Sequence, residues 1–431
     1  MIRFLVCLLS ALLLSACQPP VRLMPAPALF LNGEHNLFAA NENLDKSSQI
    51  QVFYATNRMA FGPSAAPAYT VFPGDDLHMG VATLDIGGGG RSWDWLYEQS
   101  TNASAERRPQ LLVNSMDPQA SVPLGSSVDA PGEEALAYFR QIDQALARSA
   151  DHDLTIYVHG ANTSVGRATA QAAQYRHFTG RNSVVLSFLW PSAENFMRFS
   201  HDVSKAGATA PAFAQLVRML ATHTRARHIN VIAYSSGAMV ASPGLAILGT
   251  PAAGYDPASV RLGEVYFPAP DADFRRFVSE LQVYHGYPRR VTVTVNMHDS
   301  VLVLSRLHQR GSRAGRPDPT ELSPDDAKWM IEASQRLDFD LISARAGDLP
   351  GMERRSHVFW YDHPWVSSDV LLKMLFHFTP EQRGLQRNQS VADLQYWTFP
   401  QDYEARLDKV MDGLVRTAAA QSQKDPKTST Q

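Results

Sequence analysis

From about residue 134 onward, short apolar runs alternate with longer segments in which apolar positions recur every three or four residues. Leu154–Val158, Val184–Leu189, Ile229–Ala233, Gly263–Phe267, Val291–Val295 and Phe339–Ser343 read as strands. Between them, Glu133–Ala147, Val165–Phe178, Ser204–Thr222 and Ala238–Ile247 read as amphipathic or buried helices. Strands this short and uniformly apolar, spaced by helices, are what a parallel sheet covered on both faces requires. The expected fold class is therefore α/β, with a mostly parallel central sheet and helices on both faces. In such sheets a ligand sits beyond the carboxyl ends of the strands.

Upstream the pattern is less regular. Gln51–Thr56 is strand-like, and extended segments are expected near His78–Ile86 and Pro109–Ser115. Gly87-Gly88-Gly89-Gly90 is a break between them, and without a following Lys-Ser/Thr it is not a phosphate loop. Downstream, residues 304 to 338 form a long connection that starts basic and polar and turns helical over Asp325–Arg336. Helices are expected at Ser367–Phe378 and Asp402–Ala418, followed by a disordered polar tail from Gln421.

The extreme N-terminus changes the picture most. Arg3 is followed by an apolar stretch from Phe4 to Ala16, which as a helix would be roughly 20 Å long against a hydrocarbon core of about 30 Å. That suits a cleaved export signal rather than a spanning helix. Its end, Leu14-Ser15-Ala16-Cys17, resembles the bacterial lipobox, which implies acylation of Cys17 and cleavage just before it. Gln18 is not the aspartate that, by resemblance to known lipoproteins, favours inner-membrane retention, so the outer membrane, facing the periplasm, is the expected location. The organisation expected is a signal peptide over 1–16, a flexible tether over 17–48 and an α/β domain with an N-terminal strand extension over 49–380. A C-terminal helical extension with its tail fills 381–431.

Charge and cysteine usage narrow the chemistry. The formal net charge is −3 at pH 7, and no basic block suggests nucleic acid. The 2 cysteines, Cys7 and Cys17, both lie in the first segment, which excludes disulfides and cysteine-ligated metals in the folded body.

One turn carries the most chemical information. The strand Ile229–Ala233 runs into Tyr234-Ser235-Ser236-Gly237 and then directly into a helix. A serine hydroxyl is a weak nucleophile unless it projects freely, meets a base and faces donors for a developing oxyanion. A sharp strand–turn–helix provides the projection, and the helix start aims its positive end at the reaction. Ser235 is the candidate nucleophile. Ala233 stands where a glycine is usual in such turns, which the added methyl group permits if the packing leaves room. Ser236 would occupy the first helical position, and its backbone N–H is better cast as an oxyanion donor.

The second donor is expected from His159-Gly160-Ala161-Asn162, with Ala161 preferred and Asn162 the alternative. His159 precedes the nucleophile strand and is read as a loop-fixing residue. Asp299, just past Val291–Val295, is the expected acid, with Asp271 and Asp273 as rivals one strand earlier. His357 is the expected base, preferred over His363 because the latter belongs to the run-in of the next helix.

Several blocks, taken together, resemble the bacterial α/β-hydrolases of unknown function known as DUF900. They are Phe53 to Arg58, Val158 to Ser164, Phe188 to Pro191, Ile232 to Gly237, Gly263 to Val265, Pro270 to Asp273, His298 to Ser300, and His357 with Pro364 to Asp369. The resemblance covers about residues 50 to 380 and implies Ser235, Asp299 and His357 as a triad. Tyr234, commonly histidine there, and Ser236, commonly methionine, depart from the pattern and bear on the pocket. The function expected is hydrolysis of a carboxylic ester at the cell envelope, of a small-molecule or lipid substrate, with neither metal nor organic cofactor required. Acyl transfer or peptide hydrolysis would use the same groups. A non-catalytic envelope-binding lipoprotein is the alternative of a different class.

Overall fold

The computed structural model describes residues 21–31, 36–39, 41–102, 108–194, 199–252, 255–336 and 339–424. Its centre is one mixed sheet. Three long strands open the domain: β1 (Gln49–Phe61), β2 (Ala68–Ile86) and β3 (Leu111–Pro123). Helix α1 (Trp93–Thr101) lies between β2 and β3, after the four-glycine bend, where Gly87 to Gly90 all have positive φ. The alternating part follows as α2 (Glu133–Ala147), β4 (Leu154–Val158), α3 (Val165–Phe178), β5 (Val184–Phe188), α4 (Phe199–His223), β6 (Ile229–Ala233) and α5 (Ala238–Gly249). It continues through β7 (Leu262–Pro268), α6 (Phe274–Tyr284), β8 (Arg290–Val295), α7 (Ser300–Gln309), α8 (Pro324–Gln335) and β9 (Phe339–Ser343). The last described elements are α9 (Phe359–Asp362), α10 (Pro364–Phe376), the hairpin β10 (Gln386–Gln389) and β11 (Gln395–Thr398), and α11 (Tyr403–Lys424).

The strand order is β10-β11-β9-β8-β7-β6-β4-β5-β1-β2-β3. From β1 through β5, β4, β6, β7, β8 and β9 to β11 every neighbour is parallel, while β2, β3 and β10 supply the antiparallel edges. All six strands expected from the apolar runs are present. They are apolar throughout because both faces are covered. In β6, Val231 and Ala233 enter one core with α2, α4, α5 and α6, while Ile232 enters the other with α3 and α10. From β4 the chain steps to β5 on one side and then to β6 on the other. That reversal opens a crevice beyond the carboxyl ends of β4 and β6, where ligands bind in such sheets.

Two sequence readings need correction here. The stretch expected to be a tether is, where described, part of the globule. Leu23, Met24, Leu29, Phe30, Leu37 and Phe38 are buried in the second core, and Leu23 N–H bonds to Pro109 O. Its apolar residues fill gaps over α3 and α10 individually, so they leave no period to read. The C-terminal part is not wholly helical either. β10 and β11 extend the sheet beside β9, and α11 puts Tyr403 and Leu407 into the second core. Residues 1–16, Cys17 and the tail from 425 lie outside the described residues. Among the described residues no helix is long and apolar enough to cross a membrane.

Candidate active site

The turn after β6 is strained where the sequence places its nucleophile. Ser235 has φ +52°, a left-handed conformation that non-glycine residues rarely adopt and that costs about 1–3 kcal/mol. The surrounding backbone holds it there. Tyr234 N–H donates to Val158 O, Gly237 N–H to Tyr234 O, and Asp271 N–H to Ser235 O, at 3.0, 2.8 and 2.9 Å. Ser235–Gly237 form a short 3-10 turn that leads straight into α5. Gly237 is required by space, since a Cβ there would lie 2.5 Å from Val158 O and 2.8 Å from His159 O. Ala233 is fully buried and its methyl group fits the first core, so the departure from glycine is accommodated.

Ser235, His357 and Asp299 come together although they span more than a hundred residues of chain. His357 Nε2 lies 2.8 Å from Ser235 Oγ, and His357 Nδ1 lies 2.6 Å from Asp299 Oδ2. An ionised carboxylate can only accept, so Nδ1 carries the hydrogen toward Asp299, and Nε2 is left to accept from the Ser235 hydroxyl. Asp299 is fully buried at the start of α7, where its Oδ1 caps the amides of Val301 and Leu302. One carboxylate oxygen thus fixes the helix and the other faces the imidazole.

Residues to which sequence reasoning gave no part in this row hold it in place. Asn296 donates from Nδ2 to Arg354 O and Ser356 O while its Oδ1 accepts from His298 N–H, tying the His357 loop to the Asp299 turn. Tyr234 packs its ring 5.3 Å from the His357 imidazole, and its hydroxyl donates to His357 O at 3.4 Å. Burial raises the Tyr234 hydroxyl well above its usual pKa, so it remains a neutral donor. Arg58, fully buried, gathers the loops after β4 and β5 by donating to Trp190 O, Thr163 O and Ser192 O. Burial lowers its pKa to about 10, which leaves it charged at neutral pH. Arg58 lies in one of the blocks that carry the family resemblance, the one trace of it in the sequence.

The rival residues have other partners. Asp271 accepts from Ser236 Oγ at 3.1 Å, Ser305 Oγ at 2.6 Å and Arg313 Nε at 2.7 Å, all beneath the turn. Asp273 caps α6 by accepting from Arg276 N–H. The Ser236 hydroxyl is engaged with Asp271, away from His357. His363 caps α10, its Nδ1 accepting from Trp365 N–H and its Nε2 donating to Pro350 O. His159 is fully buried, stacked on Trp190 with ring centroids 5.3 Å apart, and donates from Nδ1 to Gly160 O at 2.8 Å. Burial, with the charge of Arg58 adding, pushes its pKa down to about 3, so it is neutral.

In the loop after β4, a Cβ on Gly160 would sit 3.1 Å from the Ser235 Cβ, so this backbone approaches the serine closely. Asn162 has φ +51°, and its N–H donates to Asp202 Oδ2 at 3.2 Å. Asp202 also accepts from Ala193 N–H, and burial raises its pKa above the ordinary carboxylate value. A cavity of about 660 Å³ lies elsewhere, at the amino ends of β1 and β5 between Gln51, Arg148, Arg176 and Arg181.

The parallel sheet, its switch point at β4 and the sharp strand–turn–helix after β6 define an α/β-hydrolase fold. The chain belongs to the family described as alpha/beta hydrolase of unknown function (DUF900), which matches residues 135–350, half of its length. No curated protein matches it.

Proposed function

We propose that the protein is a serine hydrolase acting on carboxylic esters. The observation that supports this most is the hydrogen-bonded row Asp299–His357–Ser235, ending on a serine held at φ +52°. Ser235 Oγ attacks the ester carbonyl carbon while His357 Nε2 takes its proton. Asp299 keeps the imidazole in the tautomer that can do so and stabilises the imidazolium that results. The tetrahedral oxyanion is held by the N–H groups of Ser236 and Ala161. Ala161 is preferred over Asn162 because the Asn162 N–H already bonds to Asp202. Collapse passes the proton from His357 to the leaving alkoxide and leaves an acyl group on Ser235. Water, activated by the same imidazole, then releases the acid. Every step uses side chains and backbone of this chain, so the reaction needs no metal or organic cofactor.

We further propose that Cys17 carries the acyl anchor of a bacterial lipoprotein, holding the enzyme at the outer membrane within reach of small or lipid esters. The supporting observation is the run Leu14-Ser15-Ala16-Cys17 behind an apolar stretch too short to span a bilayer. Mass spectrometry of the mature N-terminus tests it, with a diacylated Cys17 expected. An unmodified cysteine or cleavage at another site refutes the anchor.

The catalytic assignment is tested by a fluorophosphonate probe followed by peptide mapping. An adduct on Ser235 is expected, and Ser235→Ala abolishes both the adduct and ester turnover while thermal unfolding stays unchanged. Chelators leave both signals intact. An adduct on Ser236, or none on the folded protein, refutes the assignment.

A further inference from the structure

A second cluster of titratable side chains lies at the opposite, amino-terminal edge of the sheet, and nothing in the proposed reaction uses it. Asp153 stands immediately before β4 and His228 immediately before β6, which places them side by side because the two strands pair in register from Leu154 and Ile229. His377 reaches the same point from the end of α10, where it holds a left-handed φ of +55° in a position that glycine usually fills. His228 Nδ1 lies 3.2 Å from Asp153 Oδ1, and His377 Nε2 lies 3.1 Å from Asp153 Oδ2. One ligand atom from each of the three residues lies within 4.8 Å of the other two.

The geometry of the His377 contact is informative. Asp153 is fully buried, and the two ring nitrogens of His377 stand between its carboxylate and that of Glu264. The two imidazoles approach different oxygens of the Asp153 carboxylate, at 3.2 and 3.1 Å, close to the roughly 3.3 Å that separates ligands held about 2.0–2.2 Å from a tetrahedral zinc. Behind His377, Glu264 Oε1 lies 3.3 Å from Nδ1, the place where a carboxylate orients a metal-bound imidazole, and Lys373 holds Glu264 at 2.6 Å. Arg227 Nε engages only Oδ1 of Asp153, at 2.9 Å, which leaves Oδ2 for another partner.

We propose that Asp153, His228 and His377 form a site for one divalent transition-metal ion, zinc by the nitrogen and oxygen character of the donors. The ion would join the end of α10 to the entrances of β4 and β6. It lies at the far edge of the sheet from Ser235 and acts on stability, not on ester chemistry.

The test uses the full-length mature protein after dialysis against a chelator. Zinc chloride is titrated in competition with a chromophoric chelator, and thermal unfolding is followed with and without zinc. One zinc per chain is expected, with a rise in Tm, while fluorophosphonate labelling of Ser235 is unaffected. His228→Asn, a change at a partly exposed side chain, removes both the uptake and the Tm shift. Glu264→Gln weakens zinc binding by about 10- to 100-fold. Cobalt(II) on the wild-type protein provides a reading that needs no variant: an intense visible d–d absorption is expected for a four-coordinate site. No uptake by the wild type, uptake that His228→Asn leaves unchanged, or only the weak spectrum of the aqueous cobalt ion overturns the proposal. His377 is then an imidazolium bridging Asp153 and Glu264.

Discussion

Asp299 and Asp271 are both buried aspartates near the carboxyl edge of the sheet, and their neighbours separate their roles. Asp299 presents one oxygen to His357 and the other to the amides that open α7. Asn therefore keeps the cap but offers the wrong group to the imidazole. Asp299→Asn should leave unfolding nearly unchanged and lower kcat on any turned-over ester by about 1,000- to 10,000-fold, checked by steady-state kinetics. Asp271 instead neutralises Arg313, which like it is 1% exposed. Asp271→Asn strands that guanidinium and should cost about 3–5 kcal/mol in urea unfolding, a stability effect first and an activity effect second. The sequence allowed Asp299 and His357 to be chosen because strand ends and chain order constrain them. Arg313, Asn296 and Arg58 could not be chosen in that way. Each acts through contacts with distant segments, and no local pattern marks an arginine that will be buried.

At the scale of elements, what could be read depended on how each one buries itself. β4 to β9 are apolar on both sides because both sides are covered, so their runs stand out. α7 was not foreseen, because it exposes Val301, Val303, Leu304 and Leu307 and so shows no polar outer face. β10 reads Gln-Arg-Asn-Gln and is largely exposed, so it joins the sheet by backbone hydrogen bonds without an apolar signature. The β6–turn–α5 unit was legible because small residues sit where the turn needs them. Gly237 makes this testable, since the carbonyls of Val158 and His159 fill the place of a side chain. Gly237→Ala must push the turn away from β4 and shift Ser235 relative to His357. Fluorophosphonate labelling should slow by at least about tenfold, with a stability loss of about 1–3 kcal/mol from the overpacked contact.

Over the whole molecule, the second core is closed by parts of the chain that sequence reading left outside the domain: Leu23 to Phe30 with Leu37 and Phe38, and the helix from Tyr403. This depth of burial reaches polar groups as well and makes stability depend on pH. His159 is the cleanest case. It is fully buried against Trp190, and its Nδ1 donates to Gly160 O. Its pKa is about 3 in the folded protein, set by burial and then by Arg58, against an ordinary value of 6.5. Between those values the unfolded chain binds a proton at this position and the folded chain does not. Stability from this group is therefore complete above about pH 6.5 and falls as the pH drops toward 3, by up to about 1.4 kcal/mol per pH unit. Other buried groups add slopes of their own, so the test is a difference. His159→Asn keeps a donor near the Nδ1 position and removes the titration. Urea unfolding of both proteins at several pH values should show the wild type losing stability relative to the variant as the pH falls from about 6.5 to about 4.5. Parallel stability curves would mean that His159 takes up its proton in the folded state.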